Sequence, residues 1–220
     1  MRDFDLSGEA AMKTPAAEHD MDATLRLFLV RHGETEWSAS GRHTGRTDIP
    51  LTLQGEDEAR ALAAHLQKIQ FKHVLSSPLG RALQTCRLAG LGKDPEIASD
   101  LAEWDYGDYE GQRSAEIRRQ FPDWNVYRDG CPGGEMPEQV SVRADRLIGR
   151  LKAMEGNVAL FTHGQIGSAI AVRWIGLAMA EARHFSLGTA SLSILSFDPH
   201  HPGVPVIALW NAFSRASRFS

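Results

Sequence analysis

The chain has 220 residues, of which 42% are hydrophobic types, and a formal net charge of −4 at pH 7. This size and apolar content suit one domain with a sizeable core. The sequence lacks the Lys/Arg-rich run of a nucleic-acid-binding protein and any apolar run long enough to span a bilayer, so neither nucleic acid nor membrane is an expected partner. Its two cysteines are too few for a disulfide framework, and a reducing cytoplasm is the expected compartment.

The first 23 residues are polar and lack the apolar stretch of a secretory signal. We interpret residues 1–23 as a flexible extension, with Met21 as an alternative start, and residues 24–220 as one catalytic domain.

From residue 25 onward, short apolar runs alternate with amphipathic segments. A strand is predicted at 25–30. Helical spacing of apolar residues between 59 and 69 predicts a helix with Thr52 as its N-cap. After a short strand at 73–76, we expect a second helix with Ser77 as its N-cap and Pro78 as its first residue.

Residues 95–111 have no regular pattern, and a short helix is predicted at 114–121. Longer helices are predicted at 138–154 and 165–176, and strands at 157–161, 191–197 and 204–210. This alternation predicts a layered α/β domain with a mostly parallel sheet.

Two of the predicted strands end in unusual polar residues. The first runs into Arg31, His32 and Gly33, and the strand at 157–161 runs through Thr162 into His163. Ligands of such sheets bind outside the carboxyl ends of the strands. If these two strands are neighbours, His32 and His163 face each other across a pocket.

The residue types at this edge are suited to an anion. The guanidiniums of Arg31 and Arg81 match phosphate oxygens, and glycines at 33 and 164 would let backbone N–H groups approach. The helix at 165–176 would begin with free N–H groups. Arg81 lies in the first turn of a helix, where the macrodipole disfavours a cation unless an anion is bound nearby.

The histidines indicate what happens to that anion. A neutral His32 can attack phosphorus and carry the phosphoryl group, with the backbone carbonyl of Gly33 or of a nearby residue fixing its tautomer. His163 and the arginines would hold the phosphoryl oxygens. Glu103 is the candidate acid for the leaving alcohol, because its aromatic surroundings favour the protonated form while nearby arginines oppose it.

Each motif alone has a simpler interpretation. The Arg31-His32-Gly33 run could be a polar strand end, His163 a core histidine, and the acidic loop 103–110 a solvated face or a cation site. Residues 198–202, DPHHP, fit a surface turn better than a metal site.

Taken together and in order, the motifs resemble the histidine phosphatase superfamily, in the branch of the cofactor-dependent phosphoglycerate mutases. The resemblance runs through RHGET, PLTLQGEDEA, SSPLGRALQT, LAEWDYGDYEG, GGE and FTHGQ and covers residues 25–211. It implies a three-layer α/β/α sandwich and a phosphorylated His32, with Arg31, Arg81 and His163 on the phosphoryl group and Glu103 as proton donor. It implies no metal and no cofactor.

The resemblance also implies substrate contacts, at Ser38, Thr44, Gly45, Tyr106, Gly164 and Gln165. WNVYRDG resembles the sedoheptulose-bisphosphatase-like and broad sugar-phosphate phosphatases, so Arg128 is expected to meet a second phosphate. We therefore expect a phosphatase that acts on a small sugar phosphate or bisphosphate. A homodimer is the assembly considered. A phosphoglycerate mutase is the alternative, and a non-catalytic phosphate-binding module is a third.

Overall fold

The computed structural model describes residues 24–213 and contains one six-stranded sheet with helices on both faces. The predicted extension at 1–23 lies outside the described residues. The strands are β1 (Arg26–Arg31), β2 (His73–Ser76), β3 (Glu96–Ile97), β4 (Asn157–Thr162), β5 (Leu192–Phe197) and β6 (Pro205–Ala212). The helices are α1 (Glu36–Ser40), α2 (Leu53–Leu66), α3 (Gly80–Leu88), α4 (Ser114–Ile117), α5 (Val126–Asp129), α6 (Pro137–Leu151) and α7 (Gly164–Trp174).

The sheet order is β3-β2-β4-β1-β5-β6. Strands β1 to β4 are parallel, while β5 pairs antiparallel with both β1 and β6. Side chains alternate between the faces of β1, so Leu27 and Leu29 join a core with α6 and α7, whereas Phe28 and Val30 join a core with α2 and α3. The predicted three-layer α/β/α sandwich with a mostly parallel sheet is confirmed.

The register brings the polar strand ends together. Arg31 of β1 lies opposite Thr162 of β4, and Ser76 of β2 lies opposite Phe161. Because these strands are parallel, the residues that follow them emerge at the same edge of the sheet. Within residues 24–213, none of the helices is long and apolar enough to cross a membrane.

The predicted start of the second helix is wrong by two residues. Helix α3 begins at Gly80 with Leu79 as its N-cap, and Leu79 makes no side-chain capping bond. The Ser77 hydroxyl is engaged elsewhere, since it accepts from the Leu79 N–H at 3.3 Å and contacts His163 Nε2 at 2.7 Å. By contrast, the predicted cap of α2 is confirmed, because the Thr52 side chain accepts from the Gly55 N–H.

Candidate active site

His32 is held by its backbone just beyond the end of β1. Its N–H donates to the Thr162 carbonyl at 3.0 Å and its carbonyl accepts from the Ala190 N–H at 3.0 Å. Nδ1 lies 2.7 Å from the Gly33 carbonyl, as the sequence predicted. A carbonyl can only accept, so Nδ1 carries the hydrogen and Nε2 keeps its lone pair in the neutral ring.

The electrostatic surroundings keep this ring neutral. Burial, together with the charges of Arg31 and Arg81, holds the pKa of His32 well below its ordinary value of 6.5. The imidazole therefore has a nucleophilic nitrogen at neutral and mildly acidic pH.

From the sequence, we expected glycine at position 33 so that its N–H could approach an anion. The structure gives this glycine a different role. The Gly33 N–H donates to Thr85 Oγ1 at 3.0 Å. A Cβ at Gly33 would lie 2.2 Å from the Gly55 carbonyl oxygen, and a Cβ at Gly55 would lie 2.1 Å from the Glu34 oxygen. The two glycines therefore allow the backbone after β1 to pack directly on the first turn of α2.

His163 lies beside His32, with ring centroids 5.1 Å apart and an interplanar angle of 60°. Its Nδ1 accepts from Arg81 Nε at 3.2 Å, so Nε2 carries the hydrogen and donates to Ser77 Oγ at 2.7 Å. Both ring nitrogens are thus engaged by protein groups. A direct contact between His163 and a phosphoryl oxygen, as predicted, requires one of these bonds to open.

The buried Arg81 guanidinium is also largely satisfied by the protein. Besides His163, it donates to the carbonyls of Thr44, Gly45 and Thr47, each at 3.0 Å. These oxygens, with Asp48 at 3.7 Å, offset the unfavourable position of a cation in the first turn of α3. A bound anion, which we expected to offset this position, is therefore not needed. The same hydrogen bonds hold the 44–47 loop against Arg81.

Arg31 lines the cavity and has an unused buried donor. Its Nη1 donates to the Leu187 carbonyl, whereas its buried Nε has no hydrogen-bond partner within residues 24–213. An unpartnered buried N–H is costly, and an anion in the cavity would satisfy it.

Glu103 caps helix α7. Its Oε1 accepts from the Trp104 and Ile166 N–H groups at 2.9 and 2.8 Å, and its Oε2 accepts from the Gln165 N–H at 3.0 Å. The N–H groups of Gln165 and Ile166 in the first turn of α7 are therefore not free for phosphate, contrary to expectation. Oε2 accepts only one of these three bonds, so it is the oxygen with a lone pair available for a proton.

His32, Arg31 and Glu103 line a single cavity of about 200 Å³. This is below the ~300–1,000 Å³ of drug-sized sites, so the cavity suits a small metabolite. Burial and the nearby Glu103 raise the pKa of Tyr106 well above its ordinary value, so its hydroxyl stays protonated. The other lining residues are Ser38, Gly41, Arg42, His43, Thr44, Tyr106, Ser114 and Gln165.

Four of the lining residues were not predicted from the sequence. They are Gly41, Arg42, His43 and Ser114, and His43 Nε2 lies 3.0 Å from Ser114 Oγ. Burial and the charge of Arg118 lower the pKa of His43 to about 4. Adjacency to Thr44 was the available signal for Arg42 and His43, whereas Ser114 is brought in only by tertiary structure.

Arg128 lies outside the catalytic cavity. It lines a separate cavity with Tyr109 and Trp124, where it forms an ion pair with Asp129 at 2.8 Å. The contact of Arg128 with a second phosphate therefore stays a prediction, and the structure does not place this residue in the cavity that His32 lines. Gly45 and Gly164 also do not line the catalytic cavity; Gly45 donates its N–H to Glu110 at 2.9 Å, and Gly164 packs against the Arg31 guanidinium.

The acidic loop has structural partners. Glu110 accepts the N–H groups of Gly45 and Thr47, and Asp105 pairs with Arg46 at 2.8 Å. In the 198–202 turn, Asp198 Oδ1 accepts two backbone N–H groups. Among residues 24–213, no three His, Cys, Asp or Glu side chains are grouped so that they could hold a metal ion.

Comparisons with known proteins agree with this geometry. The family model of the histidine phosphatase superfamily (branch 1) matches residues 27–212. The chain therefore belongs to the histidine phosphatase superfamily, as the motifs predicted.

Individual relatives carry different names. An acid phosphatase of Mycobacterium tuberculosis is 43% identical over 79% of this chain and 87% of its own length. A sedoheptulose 1,7-bisphosphatase of Saccharomyces cerevisiae is 36% identical over 70% of this chain and 69% of its own. A probable phosphoglycerate mutase GpmB of an Enterobacter species is 32% identical over 79% and 85%.

A solved structure of an open reading frame product from Mycobacterium tuberculosis has the same fold. It superimposes with a TM-score of 0.80 at 41% identity and covers 84% of this chain and 96% of its own.

Proposed function

We propose that this protein is a phosphomonoesterase of small sugar phosphates or bisphosphates that works through a phosphohistidine on His32. One observation carries the proposal. His32 has a neutral Nε2 lone pair and lines the same small cavity as Arg31 and Glu103, and the buried Arg31 Nε has no partner among residues 24–213. The names of the acid phosphatase and sedoheptulose bisphosphatase relatives support the substrate class.

In the first step, His32 Nε2 attacks phosphorus as the bond from phosphorus to the substrate oxygen breaks. The Glu103 proton goes to the leaving alcohol, and Arg31 stabilises the equatorial oxygens, where charge is concentrated. The Nδ1 hydrogen bond to the Gly33 carbonyl stabilises the positive charge that develops on the ring.

In the second step, water attacks the phosphohistidine on the face opposite His32. The Glu103 carboxylate takes the water proton, an oxygen–phosphorus bond forms, and the nitrogen–phosphorus bond breaks. Inorganic phosphate and neutral His32 result, with Glu103 protonated for the next cycle.

The test is a panel of phosphomonoesters assayed for released phosphate, with wild-type protein and His32→Ala. We expect the wild type to hydrolyse sugar phosphates and His32→Ala to be inactive. Wild-type protein that binds phosphate yet releases none from any ester would support a non-catalytic module instead.

The GpmB-named relative favours a second candidate, a phosphoglycerate mutase. Both reactions make the same phosphohistidine and differ in whether water or a sugar acid takes the phosphoryl group. Incubation with 3-phosphoglycerate and catalytic bisphosphoglycerate separates them, because isomer formation faster than phosphate release would identify a mutase.

We also propose a cytoplasmic location, which the free, buried Cys86 and Cys131 support, since unpaired thiols persist in reducing compartments. Cell fractionation tests it. The homodimer stays a prediction, which light scattering of the purified protein would test. The absence of nucleic-acid and membrane partners also stays a prediction, and binding assays would test it.

A further inference from the structure

Two exposed arginines are paired beside the catalytic cavity. Arg42, which lines the cavity, and Arg113 are partners in an isolated antiparallel bridge. The N–H of His43 donates to the Gln112 carbonyl at 2.8 Å, so the two arginines form a pair without mutual hydrogen bonds. In such pairs the Cα atoms are only about 4.5 Å apart and the side chains project to the same face.

Neither guanidinium is neutralised by the protein. Both residues are exposed, and neither side chain forms an ion pair or hydrogen bond with any group in the described range 24–213. Glu116 is adjacent, but its Oε2 accepts the Arg113 backbone N–H at 2.8 Å. Like charges directly opposite each other on neighbouring strands repel, and an anion between them would convert that repulsion into attraction.

The position of the pair relates this anion to the substrate. Arg42 shares the cavity with His32, and Ser114, the neighbour of Arg113, lines it as well. The side chain of Arg118 donates to the Trp124 carbonyl at 3.1 Å, and its charge is felt at His43, so a third cation lies near this side. A phosphoryl group on His32 would thus leave the remainder of a small substrate beside Arg42 and Arg113.

We propose that Arg42 and Arg113 bind a second anionic group of the substrate, a phosphate or a carboxylate, and so select doubly anionic phosphomonoesters. The proposal rests on the phosphatase function proposed above and identifies its substrate class. Arg128, which the sequence suggested for this role, is engaged by Asp129 in a different cavity.

The test compares matched substrates that differ in one anionic group. Fructose 1,6-bisphosphate is compared with fructose 6-phosphate, and 3-phosphoglycerate with glycerol 3-phosphate. The quantity measured is the ratio of kcat/KM between the members of each pair, in wild type, Arg42→Ala, Arg113→Ala and Arg128→Ala. The first pair reports on a second phosphate and the second pair on a carboxylate.

We expect Arg42→Ala and Arg113→Ala each to lower the ratio several-fold in one of the pairs, because the variant loses a charge-assisted contact to the second anionic group. The loss should fall mainly on KM and shrink as salt is raised. Arg87→Ala, which removes an exposed arginine from the last turn of α3, is the matched control and should keep the wild-type ratio.

Unchanged ratios in Arg42→Ala and Arg113→Ala would overturn the proposal, as would a reduced ratio in Arg128→Ala alone. Failure of the phosphatase function is a distinct outcome, in which the wild type releases no phosphate from any of the four substrates.

Discussion

The two ends of the catalytic cavity are built in different ways. The phosphate end, formed by Arg31 and His32, follows directly from a strand, and its atoms are fixed by backbone groups of neighbouring segments. The alcohol end, formed by Arg42, His43 and Ser114, lies on a loop and the start of a short helix. In the proposed mechanism the strand ends therefore position the reacting groups, and we expect the loops to determine which alcohol is accepted.

The largest difference between the two ends is expected when the nucleophile is removed. His32→Ala should lower kcat by at least about 10⁴-fold, because the covalent route is lost. Steady-state phosphate release measures this. The matched control is His73→Ala, at the exposed start of β2. Substantial turnover in His32→Ala, with normal turnover in the control, would show that the nucleophile is misassigned.

Replacing Arg31 with lysine tests the second residue of the phosphate end. Arg31→Lys keeps the charge but loses the planar fork, so kcat should fall about 10²–10³-fold. The control is Arg26→Lys at the opposite end of β1, where Nε donates to Asn157 at 2.9 Å. If both variants lose activity equally, Arg31 acts through the strand and not through the phosphoryl group.

The alcohol end contributes a pH-dependent stability. His43 has a pKa of about 4 in the folded protein against 6.5 when unfolded, so the unfolded chain binds more protons between these values. The contribution of His43 to the free energy of unfolding is therefore fully present above pH 6.5. It falls by about 3 kcal/mol as the pH drops towards 4.

Urea unfolding across this pH range measures the effect. His43→Gln should lose less stability on acidification than the wild type, although buried His32 and His163 still contribute a decline of the same sign. The matched control is His73→Gln. Parallel curves for wild type and His43→Gln would contradict the assignment.

The smallest expected effect concerns the packing beneath the phosphate end. Gly33→Ala would place a Cβ 2.2 Å from the Gly55 carbonyl oxygen, so the backbone must shift, at a cost of about 1–3 kcal/mol. Gly149→Ala is the control, because nothing lies within 4 Å of its Cβ in α6, and it should stabilise by about 0.5–1 kcal/mol. Thermal unfolding of both variants provides the comparison, and equal shifts would exclude a steric role for Gly33.

Local patterns in the sequence predicted the elements and the phosphate end. Apolar runs that end in polar residues located β1 and β4, whereas the pairing of these two strands was a condition of the prediction that the structure meets. Long-range choices of hydrogen-bond partner were not predictable in this way. Ser77 contacts His163 instead of capping α3, and Glu103 occupies the N–H groups of α7 that were expected to be free.

The alcohol end was the least predictable region because it is assembled from loops distant in sequence. The bridge between Arg42 and Arg113 joins two segments that carry no strand pattern. Arg128 was placed by resemblance alone, and its ion pair with the adjacent Asp129 is a local contact that the resemblance did not indicate.

The most direct measurement is phosphorus NMR of protein quenched in alkali during turnover, combined with peptide mapping. The proposed mechanism predicts one phosphoryl group on His32, bonded to Nε2 because Nδ1 is tied to the Gly33 carbonyl. A phosphoryl group on Nδ1, on another residue, or on no residue despite rapid turnover would contradict it.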